Sequence, residues 1–250
     1  KVLIAAQITQ INDLIVDIKF SVIIVAAISF LTFQQSAIYH DREVLWRDTL
    51  AKNPDSWMPL NNLALEMQKQ GNTDEAINLY ERAVEIRPDD HIGIYNLAVM
   101  KMEAGRNLDA LNLFQQSRRL SDKNPMVFLN EATLLGREDR TGEALMVVEE
   151  GLEAHPDIIE LQHLRGRFLL DSGKTLDGLR DLKSLVEKHP DFAPAVQTLA
   201  EYYLQQGFTE AALKHFEILA DLEPDNYSAK VNLANLLYQT GDMEQAITLL

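Results

Sequence analysis

A single period runs through most of this chain. Glycines recur at Gly71, Gly105, Gly173, Gly207 and Gly241, and each interval equals the Gly71-to-Gly105 spacing or twice that spacing. Small residues keep the same register at Ala76, Ala110, Ala144, Gly178, Ala212 and Ala246, as do prolines at Pro54, Pro88, Pro156, Pro190 and Pro224. Three residue types holding one spacing over most of 250 residues mark an internal repeat, and repeats of this length form arrays of stacked units.

The physics of one unit is legible in residues 57–90. Leu60, Leu63, Ala64 and Met67 are spaced by three and four residues, so they make one apolar stripe of a first helix. Gly71 ends that helix, because glycine adopts positive φ without steric cost. Thr73 or Asp74 starts a second helix whose buried stripe is Ala76, Tyr80, Ala83 and Val84, and Pro88 stops it. Ala64 and Ala76 let the two helices approach closely, and Tyr80 fills the space toward the next pair. A lone hairpin cannot bury such a face, so successive hairpins must stack.

This pattern resembles the tetratricopeptide repeat, a helix-turn-helix unit of this period. The resemblance implies an all-α fold, a right-handed superhelical solenoid of antiparallel helix pairs. Units fall at 57–90, 91–124, 125–158, 159–192 and 193–226, with a sixth, truncated, at 227–250. The register has exceptions: Asp139 stands where glycine is expected, Asp122 where proline is expected, and Val148 and Leu182 replace the aromatic residue. Looser or rotated joints are the expectation there.

Ahead of the first full unit, Trp46 lies one repeat length before Tyr80, and Pro54 lies one repeat length before Pro88. Residues 40–56 therefore read as a half repeat, with Trp46 expected to be buried near Leu60 and Leu63. Residues 1–18 are an unassigned flank. Phe20 to Phe33 form an uncharged apolar run, and over 19–39 it approaches the length of a membrane-crossing helix. A signal sequence and a buried or amphipathic cap of the solenoid are the other readings of this run. Lys1 at the start leaves room for residues upstream.

Tyr39, Asp41, Leu45, Trp46, Pro54, Asn62 and Leu63, together with the preceding apolar run, resemble the junction in membrane O-mannosyltransferases that carry extracytoplasmic tetratricopeptide repeats. That resemblance implies a membrane location with the repeats outside the cytoplasm. It also implies that the chain is the substrate-presenting region of a glycosyltransferase whose catalytic part lies elsewhere. The leading expectation is different: a membrane-tethered scaffold that binds proteins or peptides in its concave groove.

Charge and composition narrow the partners. With 38 acidic against 23 basic residues, the net charge of −15 argues against a nucleic-acid surface, which needs clustered Lys and Arg, so nucleic acid is not an expected partner. The absence of cysteine excludes disulfides, thiolate metal sites and a cysteine nucleophile. The six histidines lack paired-ligand spacing, and neither a nucleophile elbow nor a phosphate-cradling glycine loop occurs. No enzyme activity, metal or cofactor is expected from this chain. His155 and His189, one repeat length apart, read as residues at helix C-termini, where the dipole favours them.

Function is expected in positions that repeat without serving the core. The sixth residues of successive units are Asn62, Asn96, Asn130, Leu164, Thr198 and Asn232. Asparagine is a poor helix former, so its recurrence needs a reason. One reason is a ladder of amides that hydrogen-bonds the backbone of an extended peptide. The other is that these amides satisfy groups between helices. Neighbouring groove positions are apolar in the first three units, at Met58, Leu65, Ile92, Tyr95, Val99, Met102, Met126 and Leu129. They are polar in the next two, at Glu160, His163, Arg167, Gln197 and Glu201. An apolar contact region beside a charged one follows, unless tight curvature buries the apolar series.

Overall fold

The computed structural model describes residues 22–26, 28–30, 32–33 and 41–249, and among them every regular element is a helix. The chain divides into two compact units, Lys1–Asp89 and Asp90–Leu250.

In the first unit, residues 22–26, 28–30 and 32–33 are helical and their side chains are exposed. Of the membrane span expected over 19–39, residues 19–21, 27, 31 and 34–39 lie outside the described residues; among those described, no helix is long and apolar enough to cross a membrane. Three helices follow: α1 (Arg42–Lys52), α2 (Trp57–Lys69) and α3 (Thr73–Ile86). Asp41 caps α1 by accepting the Val44 N–H at 3.2 Å. The α2–α3 hairpin buries Leu60, Leu63, Ala64 and Met67 against Ala76, Tyr80 and Ala83, as its stripes require. Val84 is only partly buried, and Ile77 and Leu79 take its place.

The expectation for Trp46 needs correction. No residue of α1 is buried, and Trp46 stays partly exposed. Among the described residues of this unit α1 packs its backbone closely on α2 and reaches α3 through the Arg47–Glu75 pair, and the indole is not buried. Polar contacts hold the helix at its edge instead. Arg47 bridges Glu43 at 2.7 Å and Glu75 at 2.9 Å, while Gln70 donates to Glu43 at 2.9 Å.

The second unit contains, among its described residues, five first helices and their partners: α4 (His91–Glu103) with α5 (Asn107–Leu120), α6 (Pro125–Arg137) with α7 (Thr141–Ala154), and α8 (Ile159–Asp171) with α9 (Thr175–Lys188). Next come α10 (Ala193–Gln205) with α11 (Thr209–Leu222), and α12 (Tyr227–Thr240) with α13 (Met243–Leu249). Successive first helices start exactly one sequence period apart, as do successive second helices. Consecutive helices pack on one another throughout, and α4 also touches α6, α6 touches α8, and α8 touches α10. No two second helices make comparable contact among the described residues. The first helices therefore form one layer and the second helices another, with the core between.

The irregular positions are absorbed rather than loosened. Asp139 takes a φ of 56°, the left-handed conformation that the periodic glycines supply elsewhere, so the α6–α7 turn keeps its shape. Where Val148 and Leu182 replace the aromatic residue, the first helices contribute Phe128 and Phe168, both essentially fully buried. Space for them comes from glycines on neighbouring elements. A Cβ on Gly151 would lie 2.9 Å from Phe128, and one on Gly136 would lie 2.6 Å from the Phe168 ring.

Candidate functional site

Residues 2, 5, 6, 9 and 13 of a first helix share one face, since their spacing follows the helical turn. In the second unit this face looks away from the second helices, and two hydrogen bonds fix its geometry. Asn130 on α6 donates its Nδ2–H to Tyr95 Oη on α4 at 3.0 Å. His163 Nε2 on α8 lies 2.8 Å from Thr198 Oγ1 on α10, and Thr198 also donates to the Pro194 carbonyl at 2.9 Å. Both links join the fifth residue of one unit to the sixth residue of the next, 35 residues on.

These stitches bear on the asparagine ladder. Asn62, Asn96, Asn130 and Asn232 are all partly buried on their first helices. Asn130 is engaged in joining helices, whereas Asn96 and Asn232 have no side-chain hydrogen bond among the described residues. Sequence reasoning identified the position but not its partner, since the fifth residue of the preceding unit varies from Tyr95 to Leu129 to His163.

The apolar positions separate into two kinds. Ile92 is 54% exposed and Met126 46%, whereas Tyr95, Val99, Met102 and Leu129 are partly buried against the core of α4 to α8. Packing against the core thus covers part of the series and leaves Ile92 and Met126 open. In the first unit Met58 and Leu65 are exposed on α2.

Farther along the same layer the chemistry changes. His163 is nearly buried, its ring edge-on to Phe192 at 5.8 Å, and burial followed by repulsion from Arg167 lowers its pKa to about 4. It is a neutral hydrogen-bonding core residue. The Arg167 guanidinium lies over Phe168 at 4.8 Å, and burial lowers its pKa. Arg167, Leu170, Asp171, Thr175, Thr198, Glu201, Tyr202, Gln205 and Gln206 line a cavity of about 370 Å³. Gln197 donates to Glu201 at 2.7 Å at its exposed rim.

The remaining polar groups of note serve the frame. His155 and His189 are the C-cap residues of α7 and α9, and His155 Nε2 lies 2.6 Å from the Asp122 carbonyl. Glu131 is fully buried where four other units carry leucine and one carries Arg165; Arg118 bonds it at 3.0 Å and also pairs with Glu150. Burial raises the Glu131 pKa, and Arg118 opposes that shift. This buried pair was not legible in the sequence, because its members lie on different hairpins.

Comparison with known proteins places this architecture. Tetratricopeptide-repeat models match residues 58–90 and 198–250. No curated protein matches the sequence significantly. Among solved structures, one described as YrrB, a tetratricopeptide-repeat protein with an unusual peptide-binding site, is 20% identical. The match covers 74% of this chain and 95% of that one, with a TM-score of 0.61. PilW, a type IV pilus biogenesis factor, is 18% identical over 77% of this chain and 90% of its own, with a TM-score of 0.66. PilF of Pseudomonas aeruginosa is 17% identical over 77% and 88%, with a TM-score of 0.65. The resemblance of the N-terminal junction to membrane O-mannosyltransferases gains no support from these matches. Period, paired helices and structural neighbours agree on one architecture, the tetratricopeptide-repeat fold of stacked helix pairs, with the family's models matched at 58–90 and 198–250.

Proposed function

We propose that this chain is a protein-interaction scaffold whose second unit binds a peptide segment along its first-helix face. The observation that carries the reading is the open apolar row of Ile92 and Met126, set on a floor held rigid by the Tyr95–Asn130 hydrogen bond. Apolar side chains presented on a fixed frame suit an extended segment, since they exchange water for contact without reordering the site. A fold shared with a protein described as having a peptide-binding site is consistent with this reading. The test is titration of labelled peptides bearing one apolar anchor into the full chain. Ile92→Ser with Met126→Ser should weaken binding by about tenfold or more, within what loss of two partly buried apolar contacts supplies. Equal affinity of variant and parent, at equal thermal stability, would remove the reading.

A second reading adds a membrane tether. Val22, Ile23, Val25, Ile28, Phe30 and Phe33 are all more than half exposed on helical residues ahead of α1. An exposed apolar surface of this kind favours transfer into lipid or against a partner. In this reading the repeats stand outside the cytoplasm, beside the bilayer. Flotation of the full chain with neutral lipid vesicles checks it, and recovery of all protein in the lipid-free fraction would reject the tether.

A further inference from the structure

One repeat carries polar residues where its neighbours carry core. The fourth residue of a unit is Leu60, Ile94, Phe128 or Val196 in four units, each fully buried, but Gln162 in the unit 159–192. The seventh is Leu63, Leu97, Leu199 or Leu233 in four units, but Arg165 here. The twenty-third is Leu79, Leu113, Val147 or Leu249 in four units, but Asp181 here. The three departures coincide in this unit alone, and all three residues line one cavity of about 260 Å³ between the end of α7, α8 and α9. It lies on the side of α8 turned toward α9, away from the face of the peptide groove. The preceding unit shows the alternative. Its seventh residue, Glu131, is also charged, and Arg118 reaches across from the hairpin before to pair with it. The counterpart of Arg118 one unit on is Leu152, which lines the cavity without a charge. Arg165 bonds Asp181 on its own hairpin instead, through Nε at 2.8 Å. Its two terminal nitrogens, the Lys188 ammonium and the Ser184 hydroxyl make no hydrogen bond or ion pair among the described residues. The Asp181 charge is answered by Arg165 and, at 3.8 Å, by Arg180. Donors therefore outnumber acceptors around this cavity, and a guest rich in acceptors completes it.

We propose that this cavity binds a small tetrahedral oxyanion of the phosphate or sulfate class, held by the terminal nitrogens of Arg165, by Lys188 and by Ser184. These donors stand on two helices and approach from different directions. A tetrahedral anion accepts on every side, whereas a planar carboxylate is already served by one edge of a guanidinium. Lys188 is the last residue of α9, where the helix dipole favours its positive charge and keeps it available to an anion. The site forms only when α8 and α9 are paired, so an anion that fills it stabilises the folded hairpin by mass action.

The experiment titrates sodium phosphate and sodium sulfate into the full chain by calorimetry, with sodium chloride of matched ionic strength as the blank. At least one of the two anions should bind with a dissociation constant of about 1 mM or below and raise the melting temperature with concentration, while chloride does neither. A parallel titration with methyl phosphate separates a free ion from a phosphate monoester as the source, and binding of either supports the site. Lys188→Gln should weaken binding by about tenfold, as loss of one charge-assisted hydrogen bond implies, and Ser184→Ala by a smaller factor. Arg165→Leu combined with Asp181→Val restores residues that other units carry at these two positions, and should abolish binding while the fold is kept. Lys188 is exposed and unpaired among the described residues, so its variant decides the matter where the combined change disturbs the hairpin. Absence of heat and of stabilisation beyond the chloride blank overturns the proposal, as does an affinity that survives both Lys188→Gln and the combined change.

Discussion

Two hairpins of the second unit, α4–α5 and α8–α9, share a backbone and pack by different rules. In α4–α5 the crossing residues are Ala98 and Ala110, and the ring of Phe114 fills the space toward the next pair with no exposure. In α8–α9 both crossing residues are glycine. A Cβ on Gly166 would lie 2.6 Å from Leu182, and one on Gly178 would lie 2.8 Å from the Gly166 carbonyl oxygen. The second hairpin closes more tightly and needs a smaller filler, which Leu182 provides. The repeat thus fixes the helix path while volume is exchanged between positions, as close packing demands.

Emptying the aromatic site gives the largest expected effect: Phe114→Ala should cost about 3–5 kcal/mol by denaturant unfolding, the usual range for a large core residue. The acid response of the α8–α10 joint comes next. His163 binds its proton in the unfolded chain near pH 6.5 and in the folded one only at about 4. Stability from this residue is therefore complete above pH 6.5 and declines as the pH falls toward 4, by about 3 kcal/mol in all. His163→Leu should flatten that slope relative to the parent. Glu131 tilts the opposite way, because its raised pKa means that stability is lost as pH rises through it, so the two profiles must be compared by subtraction.

Smaller effects sharpen the contrast between hairpins. Gly178→Ala should destabilise by about 1–3 kcal/mol, since its new methyl meets backbone that cannot move aside. Gly142, with nothing within 4 Å of an added Cβ, should accept alanine with a gain of up to ~1 kcal/mol. Asn130→Ala should cost about 0.5–1.5 kcal/mol through loss of the bond to Tyr95, while Asn96→Ala should stay within about 0.5 kcal/mol. Equal costs for the two would show that the stitch contributes nothing. A gain is expected at the left-handed turn: Asp139→Gly should stabilise by roughly 0.5–1 kcal/mol, because glycine holds that conformation without strain.

The helix starts were legible in the sequence because the residues that set them act locally: a glycine after a first helix, a proline after a second. What escaped depends on partners far along the chain. Phe128 and Phe168 are ordinary apolar residues until Gly151 and Gly136 are seen to open space for them. The role of Asn130 is invisible until Tyr95 is placed beside it, and the burial of Arg167 is invisible until the Phe168 ring is placed under its guanidinium. Trp46 shows the converse error, where a register position implied burial although, among the described residues, α2 is the main neighbour packed against its helix.

Within the second unit, among the described residues, each helix packs mainly on the next helix or the one after it, so contacts join residues close in sequence. Ordering one hairpin requires no distant loop to close, and folding proceeds by adding neighbours to whichever pair forms first. Melting runs in reverse, with terminal hairpins opening before central ones, and amide exchange along the chain would show a gradient rather than a single common rate.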